Sequence, residues 1–406
     1  HKNSVWKGAE PVMAIAELNT TVRVRAIEDV YEDLLDGKIN FIVDVRNEDD
    51  FARWRIDGRS SLQVINIPYF NFIEEEEESV AQIPTDVDEV LVVCAKEGSS
   101  QFVAEVLQSH GIKAAYLKDG ILSWGELYDS RTVVDESFGQ IVQVARPARG
   151  DLSFVVISDG QAAIVDPLRH IDHYLQVVAD AGAALTHVFD THAHADHISG
   201  GPDLAAKTGA GYFMHPYDAI HPIDMLPATI PYNYLSDGQT FTIGQFEVKV
   251  VWFPGHTLGQ VNYLFTAPTG QTYLFTGDGI FLKSFGRPDL GGKGETWTPI
   301  LYESLFERLP QHVQAVTLIL PAHFAHLDEG TADGVFAADY AQVQQQNDAL
   351  KPRTRAEFTE YVLGNLPTFP KEYVEIKRVN AGLAQPSEEA AQELELGKNI
   401  CALADA

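Results

Sequence analysis

Cysteine is nearly absent: the chain has two in 406 residues, Cys94 and Cys401, far apart, which excludes a disulfide framework. Cations are scarce as well. With 29 Lys and Arg against 58 Asp and Glu the formal charge is -29 at pH 7, a field that repels phosphate backbones and argues against a nucleic-acid partner. No apolar run approaches the ~18 residues of a spanning helix, and residues 12–18 are too short for one, so a cytoplasmic protein with no membrane partner and no secretory leader is expected. No internal repeat is evident. What is present is an ordinary globular composition, 45% apolar, over a length greater than one hydrophobic core organises, which points to two domains.

One segment is dense in chemistry. Thr191-His192-Ala193-His194-Ala195-Asp196-His197 sets three imidazoles and a carboxylate almost side by side. Residues 185–189 read as a short buried strand and Ser199-Gly200-Gly201-Pro202 as a turn feeding a helix, so the cluster occupies a strand-to-helix loop. A lone His there reads as a satisfied polar residue. Four such groups left unpaired are costly to desolvate, and neutral imidazoles and carboxylates are the ligands of Zn and Fe(II). Further candidates end apolar runs: His256 after Val250-Val251-Trp252-Phe253-Pro254-Gly255, Asp278 after Tyr273-Leu274-Phe275-Thr276-Gly277, and His323 after Leu318-Ile319-Leu320-Pro321-Ala322. Each follows a strand, as residues on one rim of a sheet do.

With this His-x-His-x-Asp-His loop, Gly255-His256, Gly277-Asp278 and the last His323, the chain resembles the metallo-β-lactamase superfamily over residues 136–380. The resemblance implies an αβ/βα sandwich of two sheets. For hydrolases of the glyoxalase II type it implies two metals, with His192, His194 and His256 on the first, Asp196, His197 and His323 on the second, and Asp278 bridging. For the persulfide dioxygenase branch it implies one Fe(II) on His192, His256 and Asp278, with His194, Asp196, His197 and His323 around them. A triad of two His and one carboxylate leaves positions for a thiolate and O2, whereas a filled dinuclear site suits activation of water; the sequence permits both, Zn being the alternative metal. Gly286-Arg287-Pro288-Asp289 resembles a segment of the dioxygenases, where Arg287 either binds a substrate carboxylate or pairs with Asp289.

In the first third of the chain, Val90-Leu91-Val92-Val93 reads as a buried strand, residues 94–100 as a loop and residues 101–110 as an amphipathic helix stopped by Gly111. Cys94 therefore stands between a strand and a helix N-terminus, where amide groups and the positive helix end favour a thiolate. Ile42-Val43-Asp44-Val45-Arg46, then Ile65-Asn66-Ile67-Pro68, the Cys94 loop and Asp119-Gly120-Ile121-Leu122-Ser123-Trp124 resemble a rhodanese domain over residues 22–129. The resemblance implies that Cys94 accepts a sulfane sulfur, with Lys96, Gly98, Ser99 and Ser100 of its loop binding the substrate. Two positions depart from the family pattern: Trp54-Arg55-Ile56-Asp57-Gly58 replaces its Gly-His-Ile-Pro-Gly, and Ser99 stands where a loop Arg is common.

The expected organisation is α/β: a rhodanese-like sulfurtransferase domain over residues 1–130, a linker over 131–137, a metallo-β-lactamase-fold persulfide dioxygenase domain over 138–383, and a tail over 384–406 that is a peripheral helix or partly disordered, with Cys401 incidental in it. Residues 337–350 and 355–363 read as helices, and the acidic run 74–78 as a solvated face. Joined, the two resemblances imply a fusion that oxidises a small-molecule thiol persulfide with O2 to sulfite and exchanges sulfane sulfur with sulfite or thiosulfate, as a homo-oligomer. The rivals are a dinuclear Zn thioester hydrolase with an accessory rhodanese domain and a non-catalytic sulfur-sensing module.

Overall fold

The computed structural model describes residues 21–403, so the apolar stretch at 12–18 lies outside the described residues. The first domain alternates strand and helix: β1 (Arg23–Arg25), α1 (Ile27–Leu35), β2 (Phe41–Asp44), α2 (Glu48–Arg53), β3 (Gln63–Asn66), α3 (Tyr69–Glu74), α4 (Glu76–Val80), β4 (Val90–Val93), α5 (Gly98–Ser109), β5 (Ala114–Leu117) and α6 (Gly120–Glu126). The strand order is β1-β5-β4-β2-β3, with every pairing parallel. Strands β2 and β4, Phe-Ile-Val-Asp and Val-Leu-Val-Val, are buried throughout, as strands with both faces covered must be. The acidic run 74–78 is exposed. Helix α5 begins at Gly98, ahead of the expected Gln101, so Gly98, Ser99 and Ser100 form its first turn and the Cys94 loop is shorter than the sequence reading had it.

The second domain is built from two sheets. The first holds β6 (Asp129–Glu136), β7 (Gly139–Arg146), β8 (Asp151–Ser158), β9 (Gln161–Val165), β10 (Ala184–Phe189), β11 (Gly211–Met214) and β12 (Asn233–Tyr234), with α7 (Asp172–Asp180) and α8 (Gly201–Thr208) against it. The second holds β13 (Thr240–Ile243), β14 (Phe246–Trp252), β15 (Val261–Thr266), β16 (Thr272–Gly277), β17 (Leu318–Pro321) and β18 (Ala338–Asp339). Helices α9 (Gly294–Glu303), α10 (Tyr340–Gln346), α11 (Arg355–Gly364), α12 (Lys371–Asn380) and α13 (Glu388–Leu394) complete it. Strand β14 alternates, burying Phe246, Val248 and Val250 while Glu247 and Lys249 face solvent. Rings interlock between the sheets: Phe154 lies 5.3 Å from Phe275 and Phe189 lies 4.7 Å from Tyr263, centroid to centroid. This is the expected sandwich.

Three expectations are corrected. Residues 131–137 form no linker, because β6 covers most of them and pairs antiparallel with β7, while Val133 and Val134 pack onto the core. That core is continuous between the domains: Tyr31, Ile121 and Trp124 belong to the same buried cluster as Ile141 and Phe154. The helix expected over 337–350 is divided, with β18 before α10 and a short 3-10 turn after it, since residues 338 and 339 pair with β17 instead. The tail is not peripheral. Beyond α13, Glu395 is buried and receives Arg146 Nη1 at 2.8 Å, Arg169 Nε at 3.0 Å and the Ile198 amide at 2.8 Å.

Burial opposes ionisation of Glu395, but Arg146 and Arg169 outweigh it and hold the carboxyl down at about 2. A depressed folded pKa means that its contribution is complete at neutral pH and is lost as pH falls through that value. Glu395→Gln removes the carboxylate from the buried Arg146 guanidinium and from the half-buried Arg169, which keeps Glu388, and the expected cost is about 3 kcal/mol in urea unfolding at neutral pH. A loss below about 1 kcal/mol would sink the idea that the tail is a structural clamp.

Candidate metal centre

All seven histidine and aspartate candidates converge on one rim. His192 to His197 follow β10, His256 follows β14, Asp278 follows β16 and His323 follows β17, and all seven are buried. Gly277 permits the approach of two of these loops. Its φ is +50°, and a Cβ there would stand 2.2 Å from Thr191 Oγ1.

Four of the five imidazoles have one nitrogen engaged and the other left over, while both nitrogens of His323 lack a hydrogen-bond partner in the protein and its Nδ1 lies 3.2 Å from Asp151 Oδ1. Thr191 Oγ1 donates to Asp166 Oδ2 at 2.9 Å, so the 2.9 Å bond between Thr191 Oγ1 and His192 Nδ1 must be donated by the ring, which leaves His192 Nε2 a free lone pair. A backbone carbonyl only accepts, so His256 Nδ1 donates to Arg287 O at 2.7 Å and its Nε2 is likewise free. His194 Nε2 lies 3.1 Å from Asp190 Oδ1 and His197 Nδ1 lies 3.1 Å from Asp196 Oδ2. The remaining atoms, His192 Nε2, His194 Nδ1, Asp196 Oδ1, His197 Nε2, His256 Nε2, both Asp278 oxygens and His323 Nε2, are buried without a hydrogen-bond partner in the protein. Groups held from behind and unpaired in front are what a bound cation requires.

The spacings agree. The donor atoms of His192, His256 and Asp278 lie within 4.8 Å of one another, as do those of His194, Asp196 and His197. His256 Nε2 is 3.2 Å and His192 Nε2 3.7 Å from Asp278 Oδ2, while His323 Nε2 is 3.0 Å from Asp278 Oδ1. Burial and the charge of His194 hold His192 well below its ordinary value, in the neutral form that ligates. Burial raises the cost of ionising Asp278, yet His323, His192 and His256 outweigh it and keep the carboxylate well below its usual range. The residues therefore fit one divalent ion on His192, His256 and Asp278, and the full set fits two.

Residues that the sequence reading missed hold the ligands in place. Asp166 and Asp190 follow β9 and β10 directly, so a strand-end carboxylate was the available signal. Asp218 receives the Ala193 amide, the Thr257 hydroxyl and the Gly259 amide, each at 2.7 Å, and so ties the His192 loop to the His256 loop. Helix α12 lays Tyr373, Ile376, Lys377 and Asn380 along one face at helical spacing. From it Asn380 donates to the carbonyls of His194 and His197 at 2.9 Å, and Lys377 Nζ donates to Ala193 O at 3.1 Å. Burial lowers the Lys377 pKa. Cys401 was expected to be incidental; it is fully buried, with Sγ grouped with donor atoms of Asp196 and His323.

Arg287 is not available to a substrate, which corrects one of the two roles open to it. Its guanidinium is fully buried, forks onto Asp289 at 2.6 and 2.8 Å, and donates to the carbonyls of Pro367, Thr368 and Ile400. A cavity of about 450 Å³ does adjoin the centre at Ala193, with Tyr217, Ile220, Pro222, Leu258, Trp297 and Lys377 among its walls.

Cys94 stands apart from this rim, on the first domain. Its thiol is nearly buried and donates to Ser100 Oγ at 3.2 Å, and Ser100 Oγ donates to Glu97 O at 2.7 Å. Lys96 and Gly98 are exposed and Ser99 half-buried. The loop closes on Gly120, where φ is +62° and a Cβ would meet Lys96 O at 2.3 Å.

The family model described as Metallo-beta-lactamase superfamily matches residues 147–336, and that described as Rhodanese-like domain matches residues 27–127. A hydroxyacylglutathione hydrolase of Acidiphilium cryptum is 31% identical over 247 residues, 61% of this chain and 91% of that protein. The mitochondrial persulfide dioxygenase ETHE1 of Mus musculus is 29% identical over 168 residues, 41% of this chain and 60% of that protein. In six of the hydroxyacylglutathione hydrolases that this chain matches, the shared stretch spans from 50% to 96% of the relative's length. A metallo-beta-lactamase structure from Staphylococcus aureus superposes with a TM-score of 0.52 at 23% identity, covering 64% of this chain and 75% of that one, a likeness of fold.

A cation bound at these donors stabilises the folded chain by mass action, about 2.7 kcal/mol at a concentration 100 times Kd. Chelator-stripped protein is therefore expected to melt lower than metal-loaded protein in calorimetry, and His256→Ala to narrow that gap. Equal melting with and without metal would refute the centre.

Proposed function

Because the chain belongs to the metallo-β-lactamase superfamily and carries a rhodanese-like domain ahead of that fold, we propose that it is a persulfide dioxygenase coupled to a sulfurtransferase. The observation that carries this reading is a buried triad of two His and one carboxylate, His192, His256 and Asp278, in one chain with a Cys94 loop at a helix N-terminus. The likeness to the mouse persulfide dioxygenase supports it.

In this reading the terminal sulfur of a small-molecule persulfide gives four electrons to O2 and gains three oxygens, two from O2 and one from water, leaving the thiol and sulfite. His192, His256 and Asp278 would hold Fe(II), which would supply the redox chemistry and open positions for the sulfur and O2. The protein's own part is positioning. Asp166 and Thr191 orient His192, Arg287 O orients His256, and Asp218 keeps the two ligand loops in register. The apolar walls of the cavity exclude water from the carbon body of the thiol, and the Lys377 ammonium beside Ala193 offsets the substrate's negative charge. On the other domain, a sulfane sulfur carried by Cys94 passes to sulfite: the Cys94 S–S bond breaks, a new S–S bond forms, and thiosulfate leaves a Cys94 thiolate beneath the amides of α5.

Fe(II)-reconstituted protein is expected to consume O2 with glutathione persulfide, and His256→Ala to lose this by at least about tenfold, a barrier increase near 1.4 kcal/mol. Cys94→Ser is expected to keep the uptake and lose sulfur transfer, measured as thiosulfate formed from sulfite. Loss of both in Cys94→Ser would overturn the division into two sites.

The unpartnered atoms on all seven donors, together with the Acidiphilium relative, favour a second reading, a dinuclear Zn hydrolase of glutathione thioesters. Two Zn per chain, cleavage of S-lactoylglutathione and no O2 uptake would select it.

A further inference from the structure

Cys401 lies at the far end of the chain from Cys94, yet it ends inside the metal centre. Its side chain is fully buried, and its Sγ lies within 4.8 Å of ligand atoms of both Asp196 and His323, which are themselves within that distance of each other. Two further atoms make this more than a stray thiol. Asp196 Oδ1 and His323 Nε2 are buried and have no hydrogen-bond partner in the protein.

The chain is built to hold the sulfur there. The Arg287 amide donates to Cys401 O at 2.7 Å, Ala402 bridges to Gly286, and the Ile400 amide donates to Tyr373 Oη at 2.7 Å. Ala195, Leu290, Tyr373 and Ile376 pack around the thiol. The backbone of one residue thus serves both sides of the centre: the Arg287 carbonyl orients His256 and the Arg287 amide anchors Cys401. A fully buried thiol is poorly placed to act as a solvent-facing nucleophile or oxidation sensor. Beside a carboxylate and an imidazole with unused lone pairs, it is placed as a donor.

We propose that Cys401 is a metal ligand, forming with Asp196 and His323 an oxygen, nitrogen and sulfur triad beside the His192, His256 and Asp278 triad, with a preference for borderline cations such as Zn(II). The chemistry balances without an electron transfer. On binding a divalent ion the thiol gives up its proton to solvent, as does an imidazolium at His323, and the thiolate and Asp196 carboxylate together neutralise the two positive charges, with His323 as a neutral donor. A thiolate draws the set toward zinc-like ions and away from hard cations such as magnesium. The proposal rests on the reading of this rim as a metal centre but not on which reaction it performs.

Cobalt(II) tests it, because a thiolate bound to cobalt gives an intense near-ultraviolet charge-transfer band that oxygen and nitrogen ligands do not. Metal-free full-length protein titrated with Co(II) alone is expected to develop this band and to lose it in Cys401→Ser. The Cys94→Ser protein must keep it; Cys401 is then the one thiol in the chain, so the band can come from no other and no substitution at the site is needed. X-ray absorption of zinc-loaded Cys94→Ser protein is expected to show a sulfur neighbour at about 2.3 Å. Cobalt bound without the band, or a band that survives in Cys401→Ser, overturns the proposal. Oxygen uptake with Fe(II) is read separately, so a missing band leaves the dioxygenase reading untouched, and absent uptake with a band present leaves Cys401 a ligand.

Discussion

Six carboxylates, those of Asp151, Asp166, Asp190, Asp196, Asp218 and Asp278, are buried around five buried imidazoles at a single rim. Buried charge without a partner costs several kcal/mol per group, and Asp151, Asp196, Asp278 and all five imidazoles each keep at least one buried atom without a hydrogen-bond partner in the protein. A divalent cation supplies the missing charge and the missing contacts together. The polar network at this end of the sandwich is arranged to aim lone pairs rather than to pair them, and the surrounding packing follows from that.

The aim is achieved by tying loops to loops. Strand ends deliver the ligands, but Asp218, Asn380 and the Arg287 peptide decide how those loops sit against one another. Arg287 illustrates how the same residue type can mislead. A planar cation in a Gly-Arg-x-Asp segment suits a carboxylate ligand, and it does bind one, but the partner is Asp289 of its own chain, with three backbone carbonyls taking the remaining donors. Its role is to hold the 365–370 and 399–401 segments around the centre.

The two domains are joined by packing rather than by a tether. Helix α6 leads almost directly into β6, apolar residues of both domains share one buried cluster, and polar ties such as Ser60 N to Asp328 at 2.8 Å, Lys398 to Asp57 at 2.8 Å and His170 to Glu126 at 2.8 Å cross between them. The Cys94 loop and the metal centre are thereby held in a defined relation. Among the described residues no helix is long and apolar enough to cross a membrane.

Much of this was legible in the linear chain because the informative features are local. Periodicity and strand-end residues marked β4, β10, β16 and β17, and the spacing of His192, His194, Asp196 and His197 marked the ligand loop before any contact was known. Residue type and local context do not report what arrives from elsewhere. Lys377, Asn380 and Cys401 stand far along the chain in segments of unremarkable composition, and β6 looked like a linker because seven residues offer too little pattern to separate a short strand from a connection. The sequence by itself determined the two-domain plan, the ligand types and the candidate nucleophile, since these depend on side-chain chemistry and short-range period. Only the tertiary structure decided which nitrogens of the imidazoles are free, that Arg287 is spent on Asp289, and that residues 399–401 wall the centre, because those outcomes depend on contacts between segments far apart in the chain.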